Sequence, residues 1–107
     1  MFKLIPNPTF NHEVAITTPD GPVSLSLEFK HQGKKALREW GSKLAEVSDL
    51  ETIGHIVTGW SGVVDADGGL VNFSPAALAS LIDAYPSAAQ EIFVEYMRVL
   101  KEGRTKN

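Results

Sequence analysis

The sequence predicts an α+β fold, in which an N-terminal antiparallel β-hairpin packs on about four α-helices and the chain ends in a helical hairpin. Three observations predict this fold. Apolar and polar residues alternate with a period of two in the first third of the chain. Apolar residues recur at three- and four-residue spacing in the remainder. Residues typical of turns and helix caps separate these segments.

The composition predicts one folded domain over residues 1–107. Hydrophobic residues make up 43% and charged residues 21%, close to the values of ordinary globular domains. A chain of this length buries roughly 60–65% of the surface that it exposes when unfolded, which suffices for one core. We predict the following parts: an extended arm (1–10), a β-hairpin (11–30), a helical pair (33–60), a turn-rich connection (61–73) and a helical hairpin (74–103).

Charge and residue usage argue against several classes of partner. The formal net charge is −3 and the basic residues are scattered, so nucleic acid is not an expected partner. The chain has no cysteine, which excludes disulfides, thiolate metal sites and cysteine nucleophiles. Its apolar stretches are shorter than the ~18 residues of a membrane span, so a membrane is not expected either.

The arm carries apolar residues around Pro6 and Pro8, which favour an extended conformation over a helix. We expect these apolar residues to dock either on the core of their own chain or on a neighbouring chain. They are Phe2, Leu4, Ile5 and Phe10.

The hairpin prediction depends on alternation and turn chemistry. In residues 23–30, apolar residues alternate with serine, glutamate and lysine, and residues 12–18 alternate in the same way. The tetrapeptide Pro19-Asp20-Gly21-Pro22 between them is typical of a tight turn. Since an isolated hairpin is marginally stable in water, helices are expected to cover its apolar face.

The helical pair begins with residues 34–47, whose apolar side chains share one helix face. Ser48 and Glu51 then form a capping box, which begins a second helix that we expect to end near Trp60. Trp40 and Trp60 both fall on apolar faces. This placement favours the core for both residues and leaves a partner-binding role as the alternative.

Residues 61–73 are predicted to form a turn, with a small second hairpin around it. The sequence Asp65-Ala66-Asp67-Gly68-Gly69 resembles the start of a calcium loop. The glycine that such a loop requires at its sixth position would be Leu70, and its final glutamate would be Ala76. We therefore interpret this segment as a solvated turn without a metal.

The last third contains the clearest helix boundaries. Ser74 and Pro75 are typical of a helix start, Tyr85-Pro86 separates two helices, and Gly103 ends the second, leaving residues 104–107 as a frayed tail. The second helix has apolar residues around most of its circumference, including Val94 and Val99. It is therefore either a central helix or a partner-binding surface.

No motif for catalysis, cofactor binding or metal binding is evident. The three histidines are scattered, and the chain has neither a Gly-x-Ser-x-Gly elbow nor a glycine-rich phosphate loop. We therefore expect no enzyme activity, no cofactor and no small-molecule substrate, and we predict that the chain binds other proteins. The candidate contact residues are Phe2, Leu4, Phe10, Trp60, Phe93, Tyr96 and Met97.

Five short motifs in order make the chain similar to a known family. They are Phe-x-Leu-Ile-Pro-Asn-Pro-Thr-Phe (2–10), Phe-Lys-His (29–31), Gly-Trp before an acidic turn (59–60), Phe-Ser-Pro-Ala-Ala-Leu (73–78) and Tyr-Pro-x-Ala-Ala (85–89). In this arrangement the sequence resembles the small tail assembly chaperones of long-tailed bacteriophages and prophages.

The resemblance implies a binding protein in the cytoplasm of the bacterial host. Its implied partner is the tape measure protein, a long helical chain that is kept soluble until tail tube subunits polymerise around it. Self-association along that target is a further expectation, because many weak contacts combine when copies line one partner. A structural tail subunit that stays in the virion is the alternative.

Overall fold

The computed structural model describes residues 1–103. Within them, three strands and four α-helices are arranged in the order β1 (Thr9–Thr18), β2 (Gly21–Lys30), α1 (Lys34–Gly41), α2 (Asp49–Ile56), β3 (Val57–Ser61), α3 (Pro75–Ala84) and α4 (Ala88–Glu102). A short 3₁₀ helix, Leu44–Glu46, separates α1 from α2. The α+β prediction is confirmed, whereas the predicted frayed tail at 104–107 lies outside the described residues.

The hairpin of β1 and β2 has the register that its turn dictates. Thr18 pairs with Gly21, and the pairing continues to Thr9 and Lys30. Gly21 has a φ of 109°, a conformation that glycine adopts without strain. Strand β1 begins at Thr9, two residues earlier than predicted, so Phe10 belongs to the sheet. The His31 N–H donates to the Pro8 carbonyl at 2.9 Å and extends the pairing to this end.

The helix predicted to reach Trp60 ends at Ile56, and residues Val57–Ser61 form the third strand instead. Strand β3 pairs antiparallel with β2, which gives the sheet order β1-β2-β3. The β-branched Val57 and Thr58 followed by Gly59 disfavour a helix. The edge of β2 offers this segment backbone hydrogen bonds, and the Thr58 hydroxyl also donates to the Glu28 carboxylate at 2.8 Å.

Helix boundaries follow the predicted caps in most places. The Ser48 hydroxyl accepts the Glu51 N–H at 3.1 Å, and the Ser74 hydroxyl accepts the Ala77 N–H at 3.0 Å. Gly103 closes α4 with a φ of 90°. Helix α1 is shorter than the predicted segment 34–47, because it ends at Gly41 and the chain continues through the 3₁₀ helix.

The core lies between the inner face of the sheet and the helices. Its largest side chains have at most 1% of their surface exposed, and they are Tyr96, Phe29, Leu27, Ile53, Ile56, Leu78 and Ile92. The sequence left α4 as either a central helix or a partner-binding surface. The structure favours a central helix, because most of its apolar residues, including Val99, are buried. Val94 departs from this arrangement and is exposed.

The connection between β3 and α3 contains the small hairpin that the sequence predicts. Val64 and Leu70 form an antiparallel bridge around the glycine turn. The Asp65 carboxylate accepts the N–H groups of Asp67 and Gly69, both at 2.9 Å. This carboxylate therefore closes the turn, which is the structural role expected of a solvated loop.

Candidate partner-binding surfaces

The arm is the most exposed apolar part of the described chain. Phe2, Leu4 and Ile5 are 95%, 89% and 76% exposed. Lys3 Nζ donates to Asn7 Oδ1 at 2.5 Å, a contact within the arm itself. The core of the same chain therefore leaves these three apolar side chains uncovered.

Two of the candidate contact residues, Phe10 and Tyr96, pack into one aromatic cluster with Phe29. The Phe10 ring centroid lies 5.6 Å from that of Phe29 and 6.2 Å from that of Tyr96. Phe10 is half-buried, whereas Tyr96 is fully buried. In this fold Tyr96 serves the core, and Phe10 presents only part of its ring to solvent.

Tyr96 is also the centre of a buried polar contact that sequence reasoning missed. Its hydroxyl donates to the Lys30 carbonyl at 2.8 Å and accepts from Gln32 Nε2 at 3.3 Å. Burial raises the pKa of Tyr96, so the phenol stays protonated and able to donate. Gln32 lies two residues after the end of β2 and belongs to no motif, so only the tertiary contact identifies it.

Phe93 and Met97 are half-buried on α4. The Phe93 ring lies 5.5 Å from Trp40, which in turn stacks on His55 at 6.1 Å. Burial, followed by the nearby Lys30 and Lys43, lowers the pKa of His55. A cleft of about 440 Å³ lies beside Trp40 and His55, open to solvent between α1 and α2.

Trp60 contacts the segment around the small hairpin through a hydrogen bond and a ring contact. Its Nε1 donates to the Val71 carbonyl at 2.8 Å, and the edge of its ring meets Phe73 at a centroid distance of 5.2 Å. In the small hairpin itself, Val64 is 55% exposed and Leu70 is 77% exposed. Bridge partners direct their side chains to the same face, so these two residues form an exposed apolar pair, here called the Val64–Leu70 pair.

A second surface feature is the β1–α4 groove, which lies between the outer edge of β1 and helix α4. Its volume is about 560 Å³, and its lining includes Glu13, Val14 and Ala15 of β1 and Val94 of α4. Hydrogen bonds from two residues of β1 connect it to α4 along the groove. The Thr17 N–H donates to Glu91 at 3.0 Å, and His12 Nε2 lies 2.5 Å from Glu95 Oε2.

The two glutamates of these contacts are held in their charged form. Hydrogen bonds from Arg98 at 2.8 and 2.9 Å are the main reason that the pKa of Glu95 falls to about 2; burial opposes this shift and His12 reinforces it. Burial raises the pKa of Glu91, but hydrogen bonds from the hydroxyl and N–H of Thr17 outweigh it and lower the pKa. Both carboxylates therefore remain acceptors at neutral pH.

A family model described as phage tail assembly chaperone matches residues 1–107, the whole chain. The chain belongs to the phage tail assembly chaperone family. The resemblance predicted from the five motifs is confirmed, and family membership gives the protein a chaperone role in tail assembly. No curated protein and no solved structure matches the chain.

Membership of a chaperone family points to protein binding rather than catalysis. Within residues 1–103, no group of three His, Cys, Asp or Glu side chains is arranged to hold a metal ion. None of the helices in the same part of the chain is both long and apolar enough to cross a membrane. Most of the large apolar side chains exposed in this part of the chain lie in the arm or in the Val64–Leu70 pair, and the others are Val23, Leu50 and Val94.

Proposed function

We propose that this chaperone binds the tape measure protein in the cytoplasm of the bacterial host and keeps it soluble until tail tube subunits assemble around it. We further propose that several copies associate along one tape measure chain. The supporting observation is that large apolar side chains are exposed and that several of them lie together in the arm and in the Val64–Leu70 pair. Exposed apolar groups of this kind commonly mark protein-binding surfaces.

The Val64–Leu70 pair suits an amphipathic helix as its target. Two apolar side chains on one face can contact the apolar stripe of a helix, where residues recur at three- and four-residue spacing. The Trp60–Val71 hydrogen bond and the Asp65 turn hold the pair in place, so binding requires little ordering of the chaperone.

A contact of this size is weak by itself. Many copies along one long helical target would combine weak contacts into stable coverage, since each bound copy raises the effective concentration of the next. Because each contact remains weak, tail tube subunits could displace the copies one at a time. This reasoning favours a surface that tolerates many target sequences over a deep specific pocket.

Co-expression with the tape measure protein from the same genome tests the proposal. We expect the wild-type chaperone to raise the soluble fraction of the tape measure protein and the double variant Val64→Ser/Leu70→Ser to lose most of this effect. Val23→Ser is the matched control, because Val23 is 58% exposed but lies outside the pair. A tape measure protein that is no more soluble with the wild-type chaperone than without it would contradict the proposal.

Mass spectrometry of purified virions separates this function from that of a structural tail subunit. An assembly chaperone leaves before the tail is complete, so we expect its peptides to be absent from intact particles. Peptides present in amounts comparable to those of known tail proteins would instead identify a subunit retained in the virion.

A further inference from the structure

Strand β1 lies at one edge of the sheet. In an antiparallel pair, residues that exchange hydrogen bonds with the neighbouring strand alternate with residues whose N–H and C=O point away from it. Thr17 faces Pro22, which has no N–H, and the Thr17 N–H donates outward to Glu91. The alternation therefore turns the backbone groups of Glu13 and Ala15 away from β2.

Glu13 and Ala15 both line the β1–α4 groove, together with Ser24 of β2. Val94, 55% exposed, contributes an apolar side chain to the lining of the groove. The Glu13 side chain is exposed and lies on the outer face of the sheet, opposite Ser26. An edge strand beside an exposed apolar side chain is the arrangement that accepts an added β-strand.

The arm has the chemistry of such a strand. In an extended conformation, Phe2 and Leu4 lie on one face and Lys3 on the other. Pro6 lacks an N–H, so strand pairing would end before it. Phe2, Leu4 and Ile5 are exposed in the part of the chain that the structure describes, which leaves them available for this contact.

We infer that residues 1–5 of one copy add as a fourth strand to the β1 edge of a second copy. Lys3 then lies on the outer face beside Glu13, where opposite charges fix the register. Phe2 and Leu4 lie on the α4 side, against Val94. This inference rests on the self-association in the proposed function and does not depend on binding of the tape measure protein.

The β1 edge of a second copy is a better binding site for residues 1–5 than the β1 edge of their own chain. The His31 N–H donates to the Pro8 carbonyl beside the end of β2, and the chain bends at Pro8 and again at Leu4 and Ile5. This conformation leaves Phe2, Leu4 and Ile5 exposed rather than packed on residues 1–103 of their own chain. If two copies exchange arms reciprocally, the contact closes into a two-fold dimer.

A charge exchange tests the register. We expect Lys3→Glu and Glu13→Lys each to weaken self-association roughly tenfold in sedimentation analysis, and the double variant to restore it. Lys35→Glu is the control for the charge change, because Lys35 is exposed on α1 and outside the groove. Self-association that is equal in all variants would overturn the inference while leaving the proposed function in place.

Disulfide trapping tests which copy the arm occupies. The natural chain has no cysteine, so a mixture of Lys3→Cys and Glu13→Cys chains should form a linked heterodimer under mild oxidation. Asp20→Cys at the exposed hairpin turn replaces Glu13→Cys in the control mixture and should link much more slowly.

Two outcomes of these experiments would overturn the inference. A Lys3→Cys/Glu13→Cys double variant that forms its disulfide within a monomer would assign the arm to its own sheet. A wild-type chain that stays monomeric at every concentration would overturn both the inference and the proposed self-association. Neither outcome bears on the solubility of the tape measure protein, which co-expression measures separately.

Discussion

The aromatic cluster beneath the sheet and the N-terminal arm carry the same kinds of side chain in opposite surroundings. Phe29 is fully buried and lies 5.2 Å from the ring of Tyr96, whereas Phe2 is 95% exposed. The arm joins the fold at Phe10, whose ring packs on Phe29 and Tyr96, whereas Phe2, Leu4 and Ile5 stay exposed. Apolar character alone therefore does not decide whether a residue serves stability or binding.

The largest expected effect on the free energy of unfolding comes from Phe29, the buried residue of this comparison. Phe29→Ala should lower the free energy of unfolding by about 3–5 kcal/mol, because it opens a cavity in a filled core. Phe2→Ala, the matched change in the arm, should alter it by less than about 0.5 kcal/mol. Urea denaturation of both variants measures the difference, and similar losses would show that the arm packs on its own chain.

Tyr96→Phe tests how much the Tyr96 hydroxyl, rather than its ring, contributes to the stability of the aromatic cluster. The variant keeps the ring but removes the hydroxyl, so the Lys30 carbonyl and the Gln32 amide lose a partner. We expect a loss of about 1–2 kcal/mol in the free energy of unfolding, measured by the same denaturation. Unchanged stability would mean that water replaces the hydroxyl at this site.

Glu95→Gln tests the contact between β1 and α4. The folded pKa of Glu95, about 2, lies below the value of about 4.3 in an unfolded chain. Its charged form therefore stabilises the fold above pH 4.3, and this contribution is lost as the pH falls toward 2. We expect the variant to be less stable than the wild type by at most about 1 kcal/mol at pH 7. The difference should narrow at pH 2.5, and a difference independent of pH would contradict this account.

The smallest effect is expected at the Val64–Leu70 pair. Leu70→Ser should change the free energy of unfolding by less than about 0.5 kcal/mol, since most of the Leu70 side chain is already in water. Thermal unfolding of this variant provides the check. A large loss of stability would show that the pair supports the fold, and the co-expression result for the double variant would then need another explanation.

Local chemistry explains why much of the fold could be predicted. The Pro19-Asp20 turn, the caps at Ser48 and Ser74 and the break at Tyr85-Pro86 each act through residues only a few positions apart. Their geometry therefore depends little on the remainder of the chain. The exposed positions of Phe2 and Leu4 could not be predicted in this way, because the sequence left docking on the same core as an alternative.

Residues that depend on distant partners could not be predicted in the same way. Val57–Ser61 continues the apolar spacing of α2, yet it becomes a strand because the edge of β2 lies beside it. The β-branched Val57 and Thr58 were the available signal for that change. Gln32, by contrast, has no local signal, since its contact with Tyr96 joins residues far apart in the sequence.

The sequence by itself determined the hairpin, the capped helices and the resemblance to tail assembly chaperones. Tertiary structure alone decided that Trp60 supports a hairpin from a third strand, that Tyr96 is fully buried and that β1 borders a groove beside α4. The physical reason is the range of the interactions. Turns and caps are satisfied by neighbouring residues, whereas burial, strand pairing and surface grooves exist only after distant segments have come together.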